Sequence, residues 1–150
     1  MTDLILAIAH HFLVFAIVGL LTAELATVRV GLNQKALKRL AIMDAHFGLF
    51  AGLILAVGFA RVYYGVKGPD AYIPNPFFWA KVGAFLVAGV LSAPPTIAFL
   101  KWRKASRNDE SFSPAEADVL RIRKFLVAET AVFVLIPALA AIMARGYGVG

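Results

Sequence analysis

The 24 residues from Phe77 to Leu100 are apolar except for Lys81, Ser92, Pro94, Pro95 and Thr96. A run of that length crosses a bilayer as a helix, since about 20 residues at 1.5 Å each span the hydrocarbon. Inside hydrocarbon every backbone polar group needs a partner within the protein, so such a run admits a helix in a bundle and little else. Three further apolar runs accompany it, Leu4 to Val28, Leu40 to Val62 and a last one that enters the membrane near Phe125. These predict an all-α fold, an integral membrane four-helix bundle forming a single domain over 1–150. Its helices are expected at about 4–28, 40–62, 77–100 and 114–145. The residue composition agrees: 61% hydrophobic and 16% charged, against about half and about a quarter for soluble domains.

The distribution of charge orients the bundle. Arg29, Lys35, Lys38 and Arg39 follow the first run; Lys101, Arg103, Lys104, Arg107, Arg121, Arg123 and Lys124 lie between the third and fourth. Only Arg61, Lys67, Lys81 and Arg145 belong to the other side. Positive-inside bias then puts both termini outside and suggests a bacterial cytoplasmic (inner) membrane, multi-pass. The basic residues flank spans, which accounts for them without a nucleic-acid partner. The start, Met1-Thr2-Asp3-Leu4, has no basic leader before its apolar run, so a retained first helix is expected in place of a cleaved signal. No cysteine occurs, which excludes disulfides, thiolate metal sites and covalent c-type haem attachment.

Ionisable residues within the spans carry the functional argument, because at membrane depth they are costly and face a protein interior or a cavity. Lys81 lies about one turn inside the third span, at the outer end of a small-residue stripe through Ala84, Ala88 and Ser92. It either faces the bundle or snorkels to the outer surface. His10 and Glu24, 14 residues apart, share a face of the first helix, with His11 about 100° away. Alternating helix direction groups His10, His11, Lys81 and Arg61 in the outer leaflet with Tyr63, Tyr64 and Arg145 just above. Glu24, Asp44, His46 and Glu129 fall in the inner leaflet near Ser92–Thr96. A comparison of depths puts the basic outer layer and the acidic inner layer roughly 10–15 Å apart. The inner residues either relay protons or bind a cation, or are ordinary residues near helix ends, as Asp44 in a first turn suggests.

Local signals complete the expected outline. Gly48, Gly52 and Ala56 form a small-residue packing face on the second helix. The Tyr63–Pro76 loop, with three prolines and two glycines, reads as a shaped cap with an aromatic belt. Pro94-Pro95 is expected to kink the third helix. Ser113, Pro114 and Glu116 read as N-cap, N1 and N3 of a capping box opening the fourth.

His10-His11, Asp44-Ala45-His46-Phe47-Gly48, the stretch Arg61 to Pro69, and Asn75-Pro76-Phe77-Phe78-Trp79-Ala80-Lys81 together resemble one pattern. It is that of a family of predicted bacterial four-helix membrane proteins known as a domain of unknown function, number twenty-two fourteen. That resemblance covers nearly the whole chain and implies no activity. A shorter one, over the first three helices, is to the HemJ-type oxygen-independent protoporphyrinogen oxidases. There a histidine near the start of helix one and an aromatic-x-His-Ala-Lys-Leu stretch opening helix three are associated with haem. Phe77-Phe78-Trp79-Ala80-Lys81-Val82 is similar to that stretch, but Trp79 stands where the family has its histidine. The likeness therefore bears on a porphyrin pocket more than on the oxidase reaction.

An outer pocket with imidazole, ammonium, guanidinium and tyrosine groups suits a flat ligand with carboxylates. The expected cofactor is haem b or a related porphyrin, with His10 as metal ligand and His11, Arg61, Lys81 and Tyr63 around it. Two other classes remain open. One is a structural or assembly subunit that docks a membrane-complex partner or a second copy as a homo-oligomer. The other is a proton- or ion-conducting oligomer using Glu24, Asp44, His46 and Glu129.

Overall fold

The computed structural model describes residues 1–66 and 68–148, so Lys67, which the charge distribution and the Arg61–Pro69 pattern include, lies outside the described residues. The chain runs α1 Thr2–Thr27, α2 Gln34–Tyr64, α3 Pro69–Tyr72, α4 Pro76–Asn108 and α5 Glu116–Ala144. α1, α2, α4 and α5 are each long and apolar enough to cross a membrane, and α3 is a single turn in the cap between the second and third spans. α1 with α2, and α4 with α5, make the two most extensive pairings; α2 joins the pairs through α4, and α1 meets α5 over a smaller seam. The bundle is thus two antiparallel hairpins set side by side.

Its surface is apolar and several of its buried groups are polar, the inverse of a soluble domain. Phe15 is 74% and Val90 73% exposed, while Glu24 is 2% and Glu129 1% exposed. In water such a surface would be untenable; against lipid tails it is the expected one.

Packing is concentrated at the end that carries most of the basic residues. No residue of α1 before Ile17 and none of α5 after Phe133 is buried. Ile17, Leu21, Leu40, Phe99, Ile122 and Leu126 form the heart of the core. Hydrogen bonds tie the same end together. Arg123 Nη1 of α5 donates to the carbonyls of Leu25 (2.7 Å) and Val28 (2.8 Å), capping the C-terminus of α1 with a cation where the helix dipole favours one. Gln34 Nε2 donates to the Ser106 carbonyl of α4 at 2.9 Å.

Three boundaries differ from the sequence expectation. α2 begins six residues earlier than expected because Asn33 caps it, its Oδ1 accepting from Ala36 N at 2.9 Å. α4 runs on through Lys101 to Asn108, leaving the apolar segment as a polar helical extension. The capping box at Ser113 is not formed: α5 starts at Glu116 with Ala115 as N-cap and no side-chain cap bond. The Ser113 hydroxyl instead donates to the Leu32 carbonyl at 3.3 Å, tying the start of α5 to the α1–α2 turn.

Pro94 and Pro95 lie inside α4 without interrupting it, although they remove the amide partners of the Val90 and Leu91 carbonyls. The Gly48, Gly52 and Ala56 face points outward, and a Cβ added at Gly48 or Gly52 meets nothing within 4 Å. It packs no helix of this chain.

At the opposite end Asn75 is buried and holds two segments. Its Oδ1 accepts from Phe77 N at 2.9 Å, capping α4, and its Nδ2 donates to the Tyr147 carbonyl at 3.1 Å. Trp79 Nε1 donates to the Ile73 carbonyl at 2.9 Å, fastening the cap to the same helix.

Arg123→Ala is expected to lower stability by about 1–2 kcal/mol, since it leaves two helix-end carbonyls without their charged donor. Thermal unfolding in detergent measures this, with the exposed Arg121→Ala as control, expected to change by less than about 0.5 kcal/mol.

Candidate functional site

Two polar layers are assembled within the apolar bundle. The first gathers one residue from each of α1, α2 and α4. His10 has Arg61 and Lys81 as close electrostatic neighbours inside the bundle, and Arg61 is also a neighbour of Lys81. The imidazole lies against α2 at Gly58, where a Cβ would stand 3.7 Å from His10 Cε1. A methyl group there would make ordinary van der Waals contact with the ring.

Lys81 does not reach outward freely: its Nζ sits 5.4 Å from the centroid of the Phe78 ring, a cation–π contact. Three basic groups therefore share one region, with Asp3 nearby at the start of α1, its Oδ1 3.1 Å from where a Gly65 Cβ would stand. His10 Nδ1 and Arg61 Nε are buried there without a hydrogen-bond partner. Buried polar atoms are almost always paired, so two unpartnered ones at one place set this region apart from the rest of the bundle. The surrounding packing is consistent, because this is the half of the bundle in which neither α1 nor the end of α5 buries a residue.

The second layer gathers Glu24 of α1, Asp44 of α2 and Glu129 of α5, all buried and within electrostatic reach of one another. α4 contributes Thr96, whose hydroxyl donates to Asp44 Oδ1 at 2.7 Å. Glu24 Oε1 and Glu129 Oε1 have no partner. Among the described residues no group of three or more His, Cys, Asp or Glu side chains is placed to hold a metal ion. The carboxyl groups meet as a polar cluster without the convergence of a chelate. α1 is unbroken between His10 and Glu24, so their 14-residue separation corresponds to about 21 Å along the axis.

The remaining site residues lie elsewhere. His11 faces outward and donates from Nδ1 to the Ala7 carbonyl at 2.6 Å. It borders a shallow apolar groove of Leu4, Ile8, Phe12 and Phe15 on the lipid side of α1. His46 also faces outward, its Nδ1 donating to Ile42 O at 2.7 Å. Two residues along a helix turn the side chain through about 200°, so a buried Asp44 sends His46 to the other side. Tyr63 is 64% exposed and does not line the basic layer. Thr96 is the member of the acidic layer that an inventory of ionisable residues passes over. Its signal is a threonine directly after the proline pair, within an otherwise apolar run.

Fold and layers together define an integral membrane four-helix bundle with two ionisable sites inside it. Residues 2–148 match the family described as predicted membrane protein (DUF2214), and the chain belongs to that family. No curated protein and no solved structure matches it.

Glu129→Leu is expected to leave stability unchanged or raise it by about 1–3 kcal/mol, because it removes a buried carboxyl group with an unpaired oxygen. Thr96→Val, which strips Asp44 of its donor, is expected to lower it by about 1–3 kcal/mol. Unfolding midpoints in one detergent compare the two directly.

Proposed function

We propose that this protein binds an anionic, plate-shaped ligand, haem b or a related porphyrin, in the outer half of the bundle, and serves redox or porphyrin chemistry there. The observation that carries the reading is the convergence of His10, Arg61 and Lys81 from three helices, with His10 Nδ1 and Arg61 Nε buried and unpartnered. The donor set fits such a group. A porphyrin supplies four of its metal's ligands, so one imidazole suffices from the protein, and two cations match two propionates. His10 would hold the metal; Arg61 and Lys81 would hold the carboxylates. When bound, the group would supply one-electron chemistry. The chain itself would supply an apolar surround and basic groups that favour a reduced or anionic form. The scarcity of buried residues in this half supports the reading, because space for a ligand is needed where the helices do not fill it. The charge distribution supports a bacterial cytoplasmic membrane with this half toward the outside.

The test is the visible spectrum of protein produced with added haem and purified in mild detergent. A Soret band is expected, with α and β bands that sharpen on reduction. His10→Ala is expected to lose it, His11→Ala to keep it, and Arg61→Ala or Lys81→Ala to bind more weakly. A colourless wild-type protein overturns the haem reading.

The acidic layer favours a second reading, proton passage. Three carboxyl groups on three helices, two of them with unpaired oxygens, are an arrangement that proton pathways use. Four short helices make a narrow path, so conduction would take an oligomer. In proteoliposomes reporting internal pH, Glu129→Gln is expected to abolish flux while His10→Ala retains it. Equal flux in wild type, Glu129→Gln and empty vesicles rules this reading out.

A further inference from the structure

At the basic end, the α1–α2 turn encloses a pocket of about 300 Å³. Arg29, Lys35 and Arg39 supply three cations around it, Ala26 and Ala36 keep it open by their small size, and Thr27 completes the α1 side. No acidic residue lines it. The three cations are exposed, yet the backbone that carries them is held on three sides. Arg123 fixes the Leu25 and Val28 carbonyls, Ser113 the Leu32 carbonyl, and Gln34 reaches the Ser106 carbonyl. Asn33, also in the lining, is engaged in capping α2. The pocket is thus preformed, and neither the porphyrin reading nor the carboxyl layer uses it.

Its level in the membrane says what it would meet. The apolar part of α2 begins at Leu40 and that of α1 ends at Val28, so the pocket opens where headgroups lie. This is also the end of the bundle with eleven of the fifteen basic residues, which positive-inside bias assigns to the cytoplasmic leaflet and its anionic lipids. We propose that the pocket formed by Arg29, Lys35 and Arg39 at the α1–α2 turn binds a phosphate group, that of an anionic lipid headgroup in the adjoining leaflet. Three cations on a preformed turn more than neutralise the single charge of a phosphodiester and so favour an anionic headgroup over a zwitterionic one. The small floor lets the group approach the backbone, while the acyl chains stay alongside α1 and α2.

The experiment is native mass spectrometry of the full-length protein in mild detergent with added phosphatidylglycerol, phosphatidylcholine or inorganic phosphate. Wild type is expected to retain phosphatidylglycerol with roughly 10- to 100-fold preference over phosphatidylcholine. The variant Arg29→Gln/Lys35→Gln/Arg39→Gln is expected to lose that preference. The control Lys101→Gln/Lys104→Gln/Arg107→Gln removes as much charge from the same end and is expected to keep it. Lys35→Gln alone, at an exposed helix position, carries the same test with a loss of a few fold should the triple variant fail to fold. Phosphate binding that needs the same three residues, without lipid preference, keeps the site and assigns it to a soluble phosphate. Equal retention of both lipids with no phosphate binding overturns the proposal. So does a control that loses preference as fully as the pocket variant.

Discussion

A carboxyl group in hydrocarbon has to face protein, and three of them on three helices decide how those helices are turned. Burying Glu24, Asp44 and Glu129 fixes the rotation of α1, α2 and α5 about their axes, and the Thr96 hydroxyl on Asp44 fixes α4 against them. Apolar packing alone specifies rotation poorly in a membrane, where lipid tails and leucine side chains are nearly interchangeable partners. Once those four faces point inward, His10 and Lys81 lie on the same sides of their helices as Glu24 and the small-residue stripe. The inward setting of His10 and Lys81 is therefore a geometric consequence of the acidic layer, whereas Arg61 stands about 100° round α2 from Asp44.

The two layers sit in different mechanical settings. Around the carboxyl groups the helices are packed closely and their ends are tied across the bundle by Arg123, Ser113 and Gln34. Around His10 the bundle relies on the cap, where Asn75 and Trp79 hold the loop and the C-terminal segment to α4. The base is firmly tied and the outer half less filled, and each layer holds buried polar atoms without a partner.

The four spans were legible because a long apolar run has only one solution in lipid, and the ionisable residues within those runs were conspicuous for the same reason. Glu24, Asp44 and Glu129 are buried, and His10, Arg61 and Lys81 are half-buried. His46 was misleading because it is near Asp44 in sequence and opposite to it on the helix. Gly48 and Gly52 promised a contact, yet small residues permit close approach without compelling it. The contacts that close the basic end were not legible at all. Arg123 reaches α1 across 95 residues of sequence to Val28, and nothing local separates it from the neighbouring cations. The capping box at Ser113 is not formed because α5 starts two residues later than its spacing requires, with Ala115 as N-cap, and the Ser113 hydroxyl donates to the Leu32 carbonyl.

The two-hairpin construction bears on how such a chain is made. Each hairpin has its own extensive seam, and the chain passes from one to the other through the cap between Tyr64 and Pro76. During synthesis the first pair of spans can leave the translocon and settle in the bilayer before the second pair is complete. Two connections, the α1–α2 turn and the α4–α5 loop, lie at the basic end of the bundle, and the cap lies at the other. The final docking of the halves is then a lateral step between preformed units in the plane of the membrane. That step brings Glu129 to the Glu24–Asp44 pair and Lys81 to the His10–Arg61 pair, so neither chemical site exists until biogenesis is finished.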